Sequence, residues 1–223
     1  MMACVLAIAA TASAADGLKP EIKADRVLFL GNSITRHGVL EKIGWTIDCG
    51  MAASALEKDY VHLVASGLEQ LSGKKPEILI ANIADFERGL ATFDIDAKLK
   101  AQFDFKPTLA IVAIGENVAA LNSDDAKAQF KTSFTKLLAA IKAAGNPTLV
   151  VRGCFWTDAT KDGIMREACV AAGGTFVDIS TLGKDESNFA RSERKFEHAG
   201  VAAHPGDKGM KGIADAILAV VKK

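Results

Sequence analysis

The chain has 223 residues, enough for one domain with a sizeable core. Lys+Arg and Asp+Glu both number 27, so the formal net charge is zero. No basic stripe points to nucleic acid, and no polybasic segment points to an anionic membrane surface. Neutral charge fits a small or uncharged substrate.

The chain opens on an apolar run through Ala10, followed by Thr11-Ala12-Ser13-Ala14-Ala15. Small residues in an Ala-x-Ala arrangement after a short apolar run read as a signal peptide over residues 1–14. The expectation is export to the periplasm or beyond, with no membrane association after cleavage. The run is too short to span a bilayer. Cys4 lies inside it, too early for a lipoprotein anchor. Cys49, Cys154 and Cys169 are an odd set, which is no disulfide framework, although one pair is available after export. His37, His62, His198 and His204 show no close metal-ligand spacing, so neither metal nor cofactor is expected.

A single domain is expected over residues 20–223. Val27 to Leu30 is an apolar run that stops at Gly31-Asn32-Ser33 and reads as a buried strand. Glu57 to Leu71 has helical periodicity, with Tyr60, Val61, Val64, Leu68 and Leu71 on one side. Glu77 to Ile83 is the next strand. Phe86 to Phe105 is mixed, helical in its second half. Thr108 to Ile114 is a continuous apolar run, expected of a strand buried on both faces. Ser123 caps a helix running to about Ala144, which Gly145-Asn146-Pro147 ends. Thr148 to Cys154 is a strand, Asp162 to Ala172 a helix, Thr175 to Ile179 a strand and Gly206 to Val221 an amphipathic helix. Strands alternating with helices predict a three-layer α/β/α sandwich on a mostly parallel sheet.

Three short stretches carry candidate chemistry. Ser33 lies just past a strand end, where open α/β sheets place their ligands. Taken alone, Gly31-Asn32-Ser33 is equally a tight turn with a capping serine. Gly115-Glu116-Asn117 follows another buried strand, and Asn117 can offer an amide N–H to a developing oxyanion. His204 precedes Pro205 and the last helix, a position a proline would hold firmly. Glu116 and Trp156 are candidate substrate contacts, and Trp45 is weighed the same way, against loop anchoring in the core. His37 is read as a rim residue and His62 as structural. Asp85 and Glu87 either line the cleft or belong to a solvated loop.

Gly31-Asn32-Ser33, Gly50, Gly115-Glu116-Asn117 and His204-Pro205 resemble, in order, the four blocks of the SGNH (GDSL-type) hydrolases. The resemblance spans the whole chain after the leader. It implies a flavodoxin-like fold and metal-free ester hydrolysis. It assigns Ser33 as nucleophile and His204 as general base. The oxyanion hole would comprise the Ser33 N–H, a backbone N–H at Gly50 (or Ala53) and the Asn117 side chain. Asn32 replaces the usual Asp before the serine. Val201 stands where the family usually has the triad Asp. The expected outcome is a Ser–His dyad, its imidazole oriented by a backbone carbonyl near Val201 or Gly200, with modest activity favouring alkaline pH. Glu197 and Asp207 are the other candidates for the acid. The reading is an exported serine esterase acting by an acyl-enzyme on a carboxylic ester, with a short acyl group on a carbohydrate as the preferred substrate. The alternative is an inactive carbohydrate-binding or accessory protein of the same fold.

Overall fold

A computed structural model describes residues 23–221. The expected leader, its cleavage near Ala14 and Cys4 lie outside the described residues. Within them, five strands form one parallel sheet: β1 (Arg26–Gly31), β2 (Glu77–Asn82), β3 (Leu109–Ala113), β4 (Thr148–Arg152) and β5 (Thr175–Val177). Eight helices accompany them: α1 (Tyr60–Ser72), α2 (Ala84–Gly89), α3 (Ile95–Lys98), α4 (Lys100–Asp104), α5 (Asp124–Ala143), α6 (Ala159–Ala171), α7 (Ala199–Ala202) and α8 (Asp207–Val221).

Alternation along the strands sorts the core into two layers. Val27, Phe29, Leu109, Ile111 and Val150 face α1 and α8. Leu28, Leu30, Ala110, Val112 and Val151 face α5 and α6. Because both faces are covered, the central strands are continuous apolar runs between their end residues, as the sequence implied, with Arg26 opening β1 and Arg152 closing β4. Burying each large apolar side chain contributes roughly 1.5–3 kcal/mol, so these two layers dominate the stability of the fold.

Helix ends follow local chemistry. The Asp59 side chain accepts from His62 N to start α1, and Gly73 at φ 71 ends it. Ser123 accepts from Ala126 N to start α5. The segment 86–105, expected to be helical only in its second half, holds α2 in its first half as well. Helix α6 begins earlier than expected, at Ala159, because Asp158 caps it. Helix α8 begins at Asp207 rather than Gly206. Its first N–H groups donate to the Glu193 carboxylate, so Pro205 lies before the helix. Leu71, expected on the buried face of α1, is exposed in the last turn before the Gly73 cap.

The strand order is β2-β1-β3-β4-β5. The chain moves outward from β1 to β2, then crosses back over β1 to β3. The carboxyl ends of β1 and β3 therefore flank the switch point, the crevice where open parallel sheets bind ligands.

Candidate active site

Ser33 is the second residue after β1. The Asn32 side-chain oxygen accepts from Ile34 N at 3.1 Å, and the Asn32 carbonyl accepts from both Thr35 N and Arg36 N. This tight turn holds Ser33 half-buried at its apex. Gly31 is required there, since a Cβ would collide with the Thr35 side chain and the Ala113 carbonyl. Thr35 Oγ1 is in turn hydrogen-bonded to the buried Tyr60 hydroxyl at 2.7 Å.

His204 arrives from the other end of the chain. Its carbonyl accepts from Ala190 N at 2.9 Å, and its N–H donates to the Val201 carbonyl at 3.0 Å. The Trp156 indole donates to the Ala203 carbonyl at 3.1 Å and meets the imidazole edge-on, with ring centroids 5.1 Å apart. So held, His204 Nε2 lies 2.8 Å from Ser33 Oγ, and Nδ1 lies 2.7 Å from the Gly200 carbonyl oxygen. A carbonyl only accepts, so Nδ1 carries the proton and Nε2 presents its lone pair to the serine hydroxyl. Burial pushes the imidazole pKa down to about 4, against a raising effect from the Gly200 hydrogen bond.

Neither candidate acid reaches this ring. Asp207 accepts from Ser54 N at 2.8 Å and from Ser54 Oγ at 2.5 Å, tying the Gly50 loop to the start of α8. Glu197 is exposed and makes no hydrogen bond among the described residues.

A cavity of about 480 Å³ opens over the pair, and Ser33, Asn117 and His204 all line it. His37 and Asp85 are on its wall, together with Asn82, Arg88 and His198, which no local sequence pattern marks as site residues. Asn117 is fixed by its Nδ2, which donates to Glu87 Oε2 at 2.7 Å, and by its own N–H, which donates to Glu87 Oε1 at 3.1 Å.

Three expected placements differ. The Gly50 N–H donates to the buried Asp59 carboxylate at 3.1 Å, so it is committed inside the protein. Gly50 is a packing glycine, since a Cβ there would approach the Ile34 carbonyl to 2.6 Å. The Ala53 N–H is likewise taken, by the Gly50 carbonyl at 3.1 Å. Among the described residues, the Ser33 and Ala52 N–H groups have no acceptor. Ala52 adopts φ 72, a left-handed conformation that costs a non-glycine residue about 1–2 kcal/mol.

Glu116 does not contact the cavity. Its side chain is 1% exposed and pairs with the fully buried Arg152, while also accepting from Phe155 N at 3.0 Å and Asn32 Nδ2 at 2.7 Å. The Arg152 guanidinium holds the Glu116 carboxyl below its ordinary pKa, against the opposing effect of burial. Trp156 braces His204 from behind and is not on the cavity wall. Trp45 is a buried anchor donating to the His37 carbonyl at 3.0 Å. His62 Nδ1 sits 2.7 Å from Asp59, a structural contact. The buried cysteines Cys49, Cys154 and Cys169 are unpaired.

Comparison with solved structures matches this arrangement of layers and crevice. A structure described as a GDSL-like lipase from Bacteroides ovatus superposes with a TM-score of 0.55 at 12% identity, covering 90% of this chain and 99% of that one. The fold is that of the GDSL-type (SGNH) hydrolases. An acetyl xylan esterase, AlAXEase, superposes at 0.57 with 15% identity, over 88% of this chain and 99% of the other. A family two carbohydrate esterase from Cellvibrio japonicus gives 0.54 at 15% identity, over 91% of this chain. That enzyme is longer, and the match covers 62% of it. No family model matches the sequence, and no curated protein matches it. At this distance the likeness to the GDSL-type hydrolases lies in the fold, and function rests on the site. No described helix is long and apolar enough to cross a membrane.

Proposed function

We propose that this protein is an exported serine esterase that hydrolyses a carboxylic ester through an acyl-enzyme. The observation that carries the reading is the contact of Ser33 Oγ with His204 Nε2 at 2.8 Å, with the opposite ring nitrogen on a carbonyl. In this reading Ser33 attacks the acyl carbon as His204 takes its proton. The imidazolium then protonates the leaving alkoxide, and water, activated by the same imidazole, releases the acid. The oxyanion is met by the Ser33 N–H, the Ala52 N–H and the Asn117 amide. Ala52 takes the part expected of Gly50, because the Gly50 donor is already used. Hydrogen-bond donors aimed at developing charge in a preorganised site are worth a few kcal/mol each.

A dyad suffices chemically. The Gly200 carbonyl fixes the tautomer but carries no full charge, so it stabilises the imidazolium less than a carboxylate would. The cavity wall is polar on the side of His37, Asn82, Asp85, Arg88 and His198. Such a wall suits a hydroxyl-rich alcohol and a short acyl group, which favours an acylated carbohydrate. The carbohydrate esterases of the same fold lend this reading support. The leader-like start of the chain favours export.

The test is a panel of chromogenic acyl esters and acetylated oligosaccharides assayed with the protein and with Ser33→Ala. Turnover that the alanine variant lacks is expected. No turnover in either protein, with a carbohydrate bound, would replace the esterase with the accessory-protein alternative.

A further inference from the structure

Glu87 is a buried acid next to the cavity that the proposed chemistry leaves unused. It lies in α2, is 1% exposed, and collects four donors. Its Oε1 accepts from Gly115 N at 2.6 Å, Asn117 N at 3.1 Å and Asn32 Nδ2 at 3.2 Å. Its Oε2 accepts from Asn117 Nδ2 at 2.7 Å. One carboxylate therefore grips both the backbone and the side chain of the block after β3, and reaches the residue before the nucleophile as well.

The amide of Asn117 has two N–H bonds. Glu87 consumes one, and its plane is held on the other edge by Arg88 Nη2, 3.5 Å from Asn117 Oδ1. The second N–H is left for the cavity that Asn117 shares with Ser33. No neutral side chain of the same size does this. Glutamine has a single acceptor oxygen and would turn its own N–H bonds toward donors.

The same arrangement explains Asn32. Both hydrogens of its amide are used, one on Glu87 and one on Glu116. An aspartate there would set a third carboxylate against two.

We propose that Glu87 is the positioning residue of the oxyanion site, holding the Asn117 amide in the plane that aims its free N–H at the ester carbonyl on Ser33. Asn32 precedes the nucleophile because two buried glutamates demand a double donor there. The proposal rests on the esterase reading of Ser33 and Asn117.

The experiment is a double-mutant cycle on the full chain with a chromogenic acetyl ester: Glu87→Gln, Asn117→Ala and the pair. Glu87→Gln is expected to lower kcat by roughly tenfold to a hundredfold with KM nearly unchanged. Asn117→Ala is expected to cost roughly a hundredfold or more alone, but under about tenfold in the Glu87→Gln background. Costs that multiply in the pair would overturn the proposal and leave Glu87 a stability residue. A second readout needs no activity and no folded Glu87 variant. In the 1H–15N spectrum of the unmutated protein, the Asn117 side-chain signal, identified by its loss in Asn117→Ala, should show one amide proton shifted far downfield and slow to exchange. Two protons at ordinary solvent-exposed positions would sink the idea. A protein with that downfield signal but no turnover would contradict the esterase reading while leaving the Glu87–Asn117 contact standing.

Discussion

The imidazole of His204 hydrogen-bonds through Nδ1 to the carbonyl of Gly200, four residues upstream, at 2.7 Å. The last turn before α8 thus supplies its own orienting group, and no carboxylate is needed beside the ring. Removing the other candidate acids should therefore matter little. Glu197→Gln and Asp207→Asn are each expected to retain most activity, whereas His204→Ala loses nearly all of it. A loss in Glu197→Gln or Asp207→Asn comparable to that of His204→Ala would restore a triad with that residue as its acid.

The pH dependence changes sign from the sequence expectation. A carbonyl-backed histidine suggested an alkaline preference, but burial lowers the His204 pKa to about 4. A base must be neutral to accept the serine proton, so kcat/KM should hold through mild acid and fall only as pH approaches 4. The same shift has a stability consequence. The unfolded histidine titrates near 6.5, so the unfolded chain binds a proton that the folded one refuses. This contribution to stability is complete above about 6.5 and is lost as pH falls through about 4. A kcat/KM profile with its acid limb near 6.5 or higher would show that the imidazole is not desolvated.

Asn117→Ala should lower kcat by roughly a hundredfold to a thousandfold with KM little changed. The amide lines the same cavity as Ser33 and is held by Glu87. A change confined to KM would mark it as a residue that binds the ground state only.

Asn32→Asp should destabilise the protein by about 1–3 kcal/mol or more, because two hydrogen bonds to buried carboxylates are replaced by repulsion. Glu87→Gln in the same chain should restore part of that loss. Urea unfolding of the two single variants and the pair measures the coupling. Strict additivity would mean that residues 32 and 87 do not meet.

The fold was legible because its strands are continuous apolar runs. Val27 to Leu30 and Thr108 to Ile114 need no partner to be read as buried on both faces. The order of Ser33, Asn117 and His204 along the chain was legible too, and the switch point between β1 and β3 explains why the first two line one cavity. Between Ile179 and His204 nothing periodic appears. That stretch is a series of short turns and α7, set by contacts such as Ala190 N with the His204 carbonyl. Glu87 reads as either a cleft-lining or a solvated loop residue, and nothing local marks it or Arg152 as a buried charge, because burying a charge depends on partners far along the chain. Glu87 is 28 residues from Gly115 and 55 from Asn32. Gly50 reads as an oxyanion donor for a related reason: nothing local shows that Asp59 already takes its N–H.

The central claim is that Ser33 is the nucleophile, made reactive by His204 alone. The most direct measurement is mass spectrometry of the protein after treatment with a fluorophosphonate, with peptide mapping of the adduct. One adduct on Ser33 is predicted, absent in Ser33→Ala and greatly slowed in His204→Ala. An adduct on another residue, or a protein that stays unlabelled while folded, would contradict it.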